Sequence, residues 1–191
     1  MARLPRRPQA RGPSAEVALA PSRCSGDEDC LLILPDVIKP HLRVVFCGTA
    51  AGDASARASA YYAGPGNFFW RVLHEIGLTP TRLAPSDYAR LLEYGIGLTD
   101  VCKRRSGSDR AIRRKDFDVA RVVSLIDRYQ PRILAFNGKR AAQIVLGHPI
   151  AYGPQTERLA ETRLFALPST SAAARGFWDI GHWRWLVAAA L

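Results

Sequence analysis

The sequence predicts an α/β sandwich built on a parallel sheet, and three observations predict it. Short, continuously apolar, β-branched runs recur along the chain. Stretches with apolar residues at helical spacing separate them. Each apolar run ends in a loop of small or polar residues. The chain has 191 residues, 48% of them hydrophobic and 23% charged, which suits one globular domain of ordinary size. No internal repeat is visible, and no run of about 18 apolar residues is present to span a bilayer.

Residues 1–30 read as a basic, disordered arm, with Arg, Pro, Ser and Gly in no period. Its composition also suits a transit peptide, but its scattered prolines favour a plain arm. The folded domain is expected over 31–191. Leu42 to Cys47 (LRVVFC) is a buried strand ending at Gly48. Asn67 opens a helix with Phe68, Phe69, Val72, Leu73 and Ile76 as apolar positions, stopped at Gly77. Ser86 caps a second helix, DYARLLEYG, and residues 101–115 are expected as a loop. Phe117 to Tyr129 is amphipathic through Val119, Val122, Val123 and Ile126. Arg132 to Phe136 (RILAF) is a second strand, followed by a helix to Gly147. Arg163 to Leu167 (RLFAL) is a third strand, ending in PSTS. Trp178 to Leu191 is a terminal helix. In parallel sheets ligands bind beyond the carboxyl ends of the strands, so GTAAGD, FNGK and LPSTS should converge on one site. None is a phosphate-binding signature.

Charge is the first functional clue. The net charge is +10, from 27 Lys plus Arg against 17 Asp plus Glu. Residues 1–23 hold five arginines and one acid; VCKRRSGSDRAIRRK at 101–115 holds seven bases and one acid. These two stretches supply the whole excess, and a local basic strip on a neutral domain points to a polyanion, nucleic acid first. The competing reading is a solvated loop. Cys47, in VVFCG, reads as a buried thiol. Cys24 and Cys30 have the wrong spacing for a zinc ribbon, and the four histidines form no ligand pattern. The expectation is a monomer without metal, disulfide or cofactor, in a reducing, cytoplasmic compartment near the bacterial nucleoid, and not at a membrane.

At VVFCGTAAGDASARASAYYAGPGNFFWRVL the chain resembles the uracil-DNA glycosylase superfamily. PDVIKPHLRVVFCG and FNGK resemble the mismatch-specific uracil/thymine-DNA glycosylase branch. YYAGPGNFFW, GIGLTDV, GSDRAIRR, AFNGKRAA and LPSTS resemble the hypoxanthine-DNA glycosylase branch. The resemblance runs from about Leu34 to Leu191, with its motifs in order. It implies a three-layer α/β sandwich around a central, mostly parallel sheet, acting on DNA that contains a deaminated base. The chain departs from the pattern in places. The mismatch-specific branch has Asn and Pro in its GxNPG motif where Ala50 and Ala51 stand here. The hypoxanthine-type branch relies on the Asn before the aromatic pair, present as Asn67. The second motif lacks a His; Ser169, Thr170 and Ser171 replace it.

Cleaving an N-glycosidic bond requires a flipped nucleotide, an aromatic face to stack on its base, donors for the departing base, and a positioned water. The resemblance puts Tyr62 at the stacking position, with Tyr61 left as a core aromatic. Asn67 is the first choice for positioning water or holding the base edge, although it also reads as a helix cap. Asp53 is a candidate to activate water or stabilise the sugar cation, although it also reads as a turn residue. Gly48, Thr49 and Ala50 permit close backbone approach to the base. Ser169 and Ser171 are candidate donors. Lys139 and Arg175 are candidate phosphate contacts, with Arg175 also placed to fill the gap left by the flipped base. Arg104, Arg105, Arg110, Arg113 and Arg114 are expected to track the DNA backbone. Neither active-site motif contains a lysine, so Schiff-base strand cleavage is not expected and water is the cosubstrate. The expected reaction is uracil release. Hypoxanthine is the alternative substrate, and a catalytically inactive DNA-binding module is the alternative of another class.

Overall fold

The computed structural model describes residues 32–190; the expected arm, with Cys24 and Cys30, lies outside them. Five strands form one sheet: β1 (Val44–Ala51), β2 (Ile96–Ser106), β3 (Ile133–Asn137), β4 (Gly153–Leu159) and β5 (Thr162–Leu167). Their order is β2-β1-β3-β5-β4. All neighbours run parallel except β4, which pairs antiparallel with β5 at the edge. The helices are α1 (Asp53–Arg57), α2 (Phe69–Glu75), α3 (Val119–Tyr129), α4 (Lys139–Leu146) and α5 (Ile180–Ala190).

The strands are apolar on both faces, and their period of two divides the core. Val44, Phe46, Ile133, Ala135, Phe165 and Leu167 face one layer, where Phe69 and Val72 of α2 and Trp183 and Leu186 of α5 pack. Val45, Cys47, Leu134, Phe136, Leu164 and Ala166 face the other, against Val122 and Ile126 of α3 and Ala141 and Ala142 of α4. This is the three-layer sandwich. Cys47 is a buried thiol, as read from its apolar run. Trp185 of the terminal helix turns away from the core and is 51% exposed.

Several elements differ from the sequence reading. Residues 101–115 are not one loop: Val101 to Ser106 belong to β2. Gly97, Thr99 and Asp100 break the apolar run that marks the other strands, and the lysine and arginines that follow disguise it further. β4 is the second strand without an apolar run. Its alternate exposure belongs to an edge strand with one face in water. β1 also continues past Cys47 to Ala51, because β2 stays beside it while β3 stops pairing at Phe136. Pro85–Tyr94 is a 3₁₀ segment with Pro at its start and Ala84 as its cap, not a helix capped by Ser86. The N-cap of α2 is Phe68 rather than Asn67, whose side chain still accepts the Phe69 N–H, and two other helix ends follow their residue chemistry. Asp118 accepts from the Arg121 N–H at the start of α3, and Gly147 ends α4 in the left-handed region.

Candidate functional site

The carboxyl ends of β1, β3 and β5 meet over a cavity of about 760 Å³. The three strand-end loops do converge there: Gly48, Thr49, Ala50 and Asp53 come from the first, Asn137, Gly138 and Lys139 from the second, Ser169 and Ser171 from the third. Tyr62 and Asn67 line it from the segment between α1 and α2. Beyond Cys47, β1 pairs with β2 only, so its edge towards β3 is open where Gly48 to Ala51 line the cavity.

Tyr61 and Tyr62 take different places. Tyr61 is a core residue: its hydroxyl donates to the Pro35 carbonyl at 3.0 Å and accepts from Lys103 Nζ at 2.6 Å. Tyr62 is half-buried. Its ring lies on Phe69, with centroids 4.0 Å apart and planes 30° from parallel, while the residue lines the cavity. Its backbone has φ 54°, in the left-handed region, a conformation that costs an aromatic residue about 1–3 kcal/mol. Its hydroxyl is buried without a hydrogen-bond partner among the described residues. Burial and the nearby Asp100 hold the phenol proton on, well above its ordinary range, against the weaker pull of the neighbouring Asn137 amide, which does not reach hydrogen-bond geometry. Backbone strain and an unpartnered polar atom at one cavity residue are features that functional sites retain.

Asn67 Oδ1 accepts the Phe69 N–H at 3.0 Å at the entrance to α2. That bond fixes which end of the amide is oxygen, and leaves the NH₂ group as the end available to a ligand. Asn67 is therefore built to donate rather than to take a proton. Asp53 opens α1, is exposed, and accepts from the Ser106 hydroxyl at 3.1 Å. Ser169 Oγ accepts from the Ser171 N–H at 3.2 Å. Thr170 is structural: Asn137 Nδ2 donates to its hydroxyl at 2.9 Å, and its own N–H donates to Asn137 Oδ1 at 3.0 Å. Its carbonyl also accepts the Phe68 N–H, which ties this loop to the start of α2.

The basic residues separate into groups. Lys139 lines the cavity, with Nζ 4.2 Å from the centroid of the Tyr152 ring, so the site does hold a lysine, outside the two motifs read for one. Arg110 also lines it. Lys103 is not part of a solvent strip. It is 4% exposed and its Nζ lies 3.0 Å from Asp36 Oδ1. Cys102 pairs with Ala50 and Ser106 with Ala51, so residues 103–105 have no partner on β1. In that bulge Lys103 turns inward and Arg104 and Arg105 stay in water, outside the cavity lining. Arg113 is paired with Asp116 at 3.2 Å. Arg175 is exposed and outside the lining too; its guanidinium would lie 3.1 Å from a side chain at Gly66. Phe177, which the sequence reading did not single out, is the large apolar side chain of the lining that is exposed, at 73%.

The sequence reading also missed Asp100. It lines the cavity at 3% exposure and is the Cα partner of Gly48. Burial pushes its carboxyl up to about 7, against the opposing pull of Lys103 and Arg121 and with help from Asp36. The signal was present in GIGLTDV, but its meaning depends on a neighbouring strand. Among the described residues, no group of three or more His, Cys, Asp or Glu is placed to hold a metal, and no helix is long and apolar enough to cross a membrane.

The fold is an α/β sandwich with its cavity at the strand ends where strand order reverses, the place at which open sheets of this class take ligands. The uracil DNA glycosylase superfamily model matches residues 35–184, and the chain belongs to that superfamily. A solution NMR structure of a candidate uracil DNA glycosylase from Methanosarcina acetivorans has the same fold. It is 24% identical, with a TM-score of 0.53, and the match covers 82% of this chain and 94% of that one.

Proposed function

We propose that the chain is a monofunctional DNA glycosylase that hydrolyses the N-glycosidic bond of a deaminated base, uracil first, and leaves an abasic site. One observation carries this reading: the cavity combines an aromatic shelf, Tyr62, with an amide donor, Asn67, and a water-facing carboxyl group, Asp53. The flipped base stacks on the face of Tyr62 that Phe69 leaves free. Asn67 Nδ2 donates to a base or water oxygen. Asp53 orients the attacking water and faces the sugar cation. The bond from C1′ to the base nitrogen breaks with its electron pair going to the base, and the water oxygen bonds to C1′. Lys139 and Arg110 at the rim, with Arg104 and Arg105 outside it, meet the phosphates.

Hypoxanthine is the second reading. The observation favouring it is room: Gly48, Ala50, Gly52 and Ala54 line the same cavity without bulk. The test uses duplexes carrying uracil, hypoxanthine or no lesion, in EDTA, before and after alkali. Free base with breakage only after alkali supports the reading. Activity lost to the chelator contradicts it, and breakage without alkali, or a borohydride-trapped adduct, gives Lys139 the chemistry instead. Binding without release from any duplex identifies an inactive binding module.

A further inference from the structure

The strained backbone of Tyr62 is held from both sides. Nothing in an aromatic side chain favours its φ of 54°, so the residues around it must impose that conformation. Ahead of it stands Tyr61, whose carbonyl accepts from Trp70 Nε1 at 3.0 Å. The Tyr61 hydroxyl donates to the Pro35 carbonyl at 3.0 Å and accepts from Lys103 Nζ at 2.6 Å. After it, the Ala63 N–H donates to Ser55 Oγ at 3.1 Å. The Ser55 carbonyl accepts the Ala60 N–H at 3.1 Å, so one buried serine of α1 grips the segment on either side of the two tyrosines. Lys103 is fixed in turn. Its Nζ lies 3.0 Å from Asp36 Oδ1, and its carbonyl accepts the Ile33 N–H at 2.8 Å. The segment that supplies Pro35 and Asp36 is thereby pinned against Tyr61. A buried ion pair adds little net stability, because desolvation offsets its attraction. What this one supplies is a fixed donor for the Tyr61 hydroxyl.

We infer that Ser55 and Lys103 are positioning residues: acting through Ala63 and Tyr61, they hold Tyr62 in its left-handed conformation, so that its ring is set as a shelf before a flipped base arrives. This rests on the glycosylase reading above. Tyr61 turns into the core and Tyr62 lies on Phe69, with the cavity beside it. Relaxing Tyr62 to an ordinary negative φ would turn its ring off Phe69 and away from that place. A ring that must be ordered at each encounter takes its ordering cost out of the binding free energy, whereas a ring already in place does not. Loss of either brace therefore falls on recognition of the flipped base, through Tyr62, and leaves the phosphate contacts as they were.

The experiment measures affinity for duplexes carrying a non-hydrolysable deoxyuridine analogue, its deoxyinosine counterpart, or no lesion. Ser55→Ala and Lys103→Met are each made in the wild type and in Tyr62→Ala, and denaturant titrations report folding. In the wild-type background each brace variant should bind the preferred analogue duplex about 3–10-fold more weakly, the scale of one hydrogen bond, with undamaged duplex unchanged. In the Tyr62→Ala background neither variant should weaken the analogue duplex further, because the ring they hold is gone. A role confined to stability would not disappear with the Tyr62 ring. Analogue affinity equal to wild type in both brace variants, an equal loss on undamaged duplex, or a loss that persists in Tyr62→Ala overturns the proposal. If Lys103→Met does not fold, Tyr61→Phe, which removes only the hydroxyl that Lys103 holds, takes its place with the same expectations. A wild type that prefers an analogue duplex while its braces fail these tests loses this inference alone. A wild type that prefers neither analogue over undamaged duplex overturns the glycosylase reading and takes this one with it.

Discussion

The floor and the rim of the cavity carry the same residue types to opposite ends. At the rim, Asp53 faces water with a serine hydroxyl on its carboxyl, and Lys139 rests on the ring of Tyr152. At the floor, Asp100 is buried and pushed up to about 7, and Lys103 is locked to Asp36 and Tyr61. Burial decides the difference. A carboxyl in water suits water activation and charge, whereas a carboxyl out of water keeps its proton and becomes a donor. One cavity thereby holds a solvated carboxyl and a buried one.

The largest expected effect breaks the rim. Asp53→Asn and Asn67→Ala should each slow single-turnover excision by at least about 10²-fold with little change in DNA affinity. Near-normal rates in both would move the chemistry to the floor or to Ser169 and Ser171. The next effect isolates the floor through stability. The folded protein favours neutral Asp100, so burying its charged form is a penalty that is absent below about pH 4 and grows as pH rises to about 7. At about 1.4 kcal/mol per unit, the stability of Asp100→Asn relative to wild type should rise by a few kcal/mol over that window in denaturant titrations. A pH-independent difference would remove the contrast between the two carboxyls. Tyr62→Ala should weaken lesion binding by about 1–3 kcal/mol, the scale of one stacked base, measured as affinity for lesion over undamaged duplex. The smallest effect lies outside the cavity. Arg104→Ala with Arg105→Ala should weaken damaged and undamaged DNA equally, and lower the salt slope by roughly one unit per lost contact.

The same contrast explains what the sequence made legible. Runs such as VVFC and RILAF announce strands because both their faces are buried, and their small-residue ends led to the rim. Asp53 and the Ser169–Ser171 loop were readable as neighbours of those ends, and Tyr62 and Asn67 through the resemblance carried by YYAGPGNFFW. The floor was not readable, because Asp100 acquires its character from Gly48 on the adjacent strand and from Asp36, which is 64 residues away in sequence and draws off Lys103 and Arg121. Composition likewise counted Lys103 in a basic strip, since charge tallies cannot tell a solvated lysine from one buried in an ion pair. Phe177 escaped for a related reason: a lone aromatic in AAARGF reads as a packing residue until its exposure is known.

The central claim is that this cavity receives the flipped base. The most direct measurement is a structure of the protein with a duplex carrying a non-hydrolysable deoxyuridine analogue, and a parallel one with its deoxyinosine counterpart. The account predicts the base outside the helix, stacked on the open face of Tyr62, with Asn67 Nδ2 within hydrogen-bond distance of its edge and Asp53 towards C1′. A base left in the duplex, or one held away from Tyr62, would contradict it.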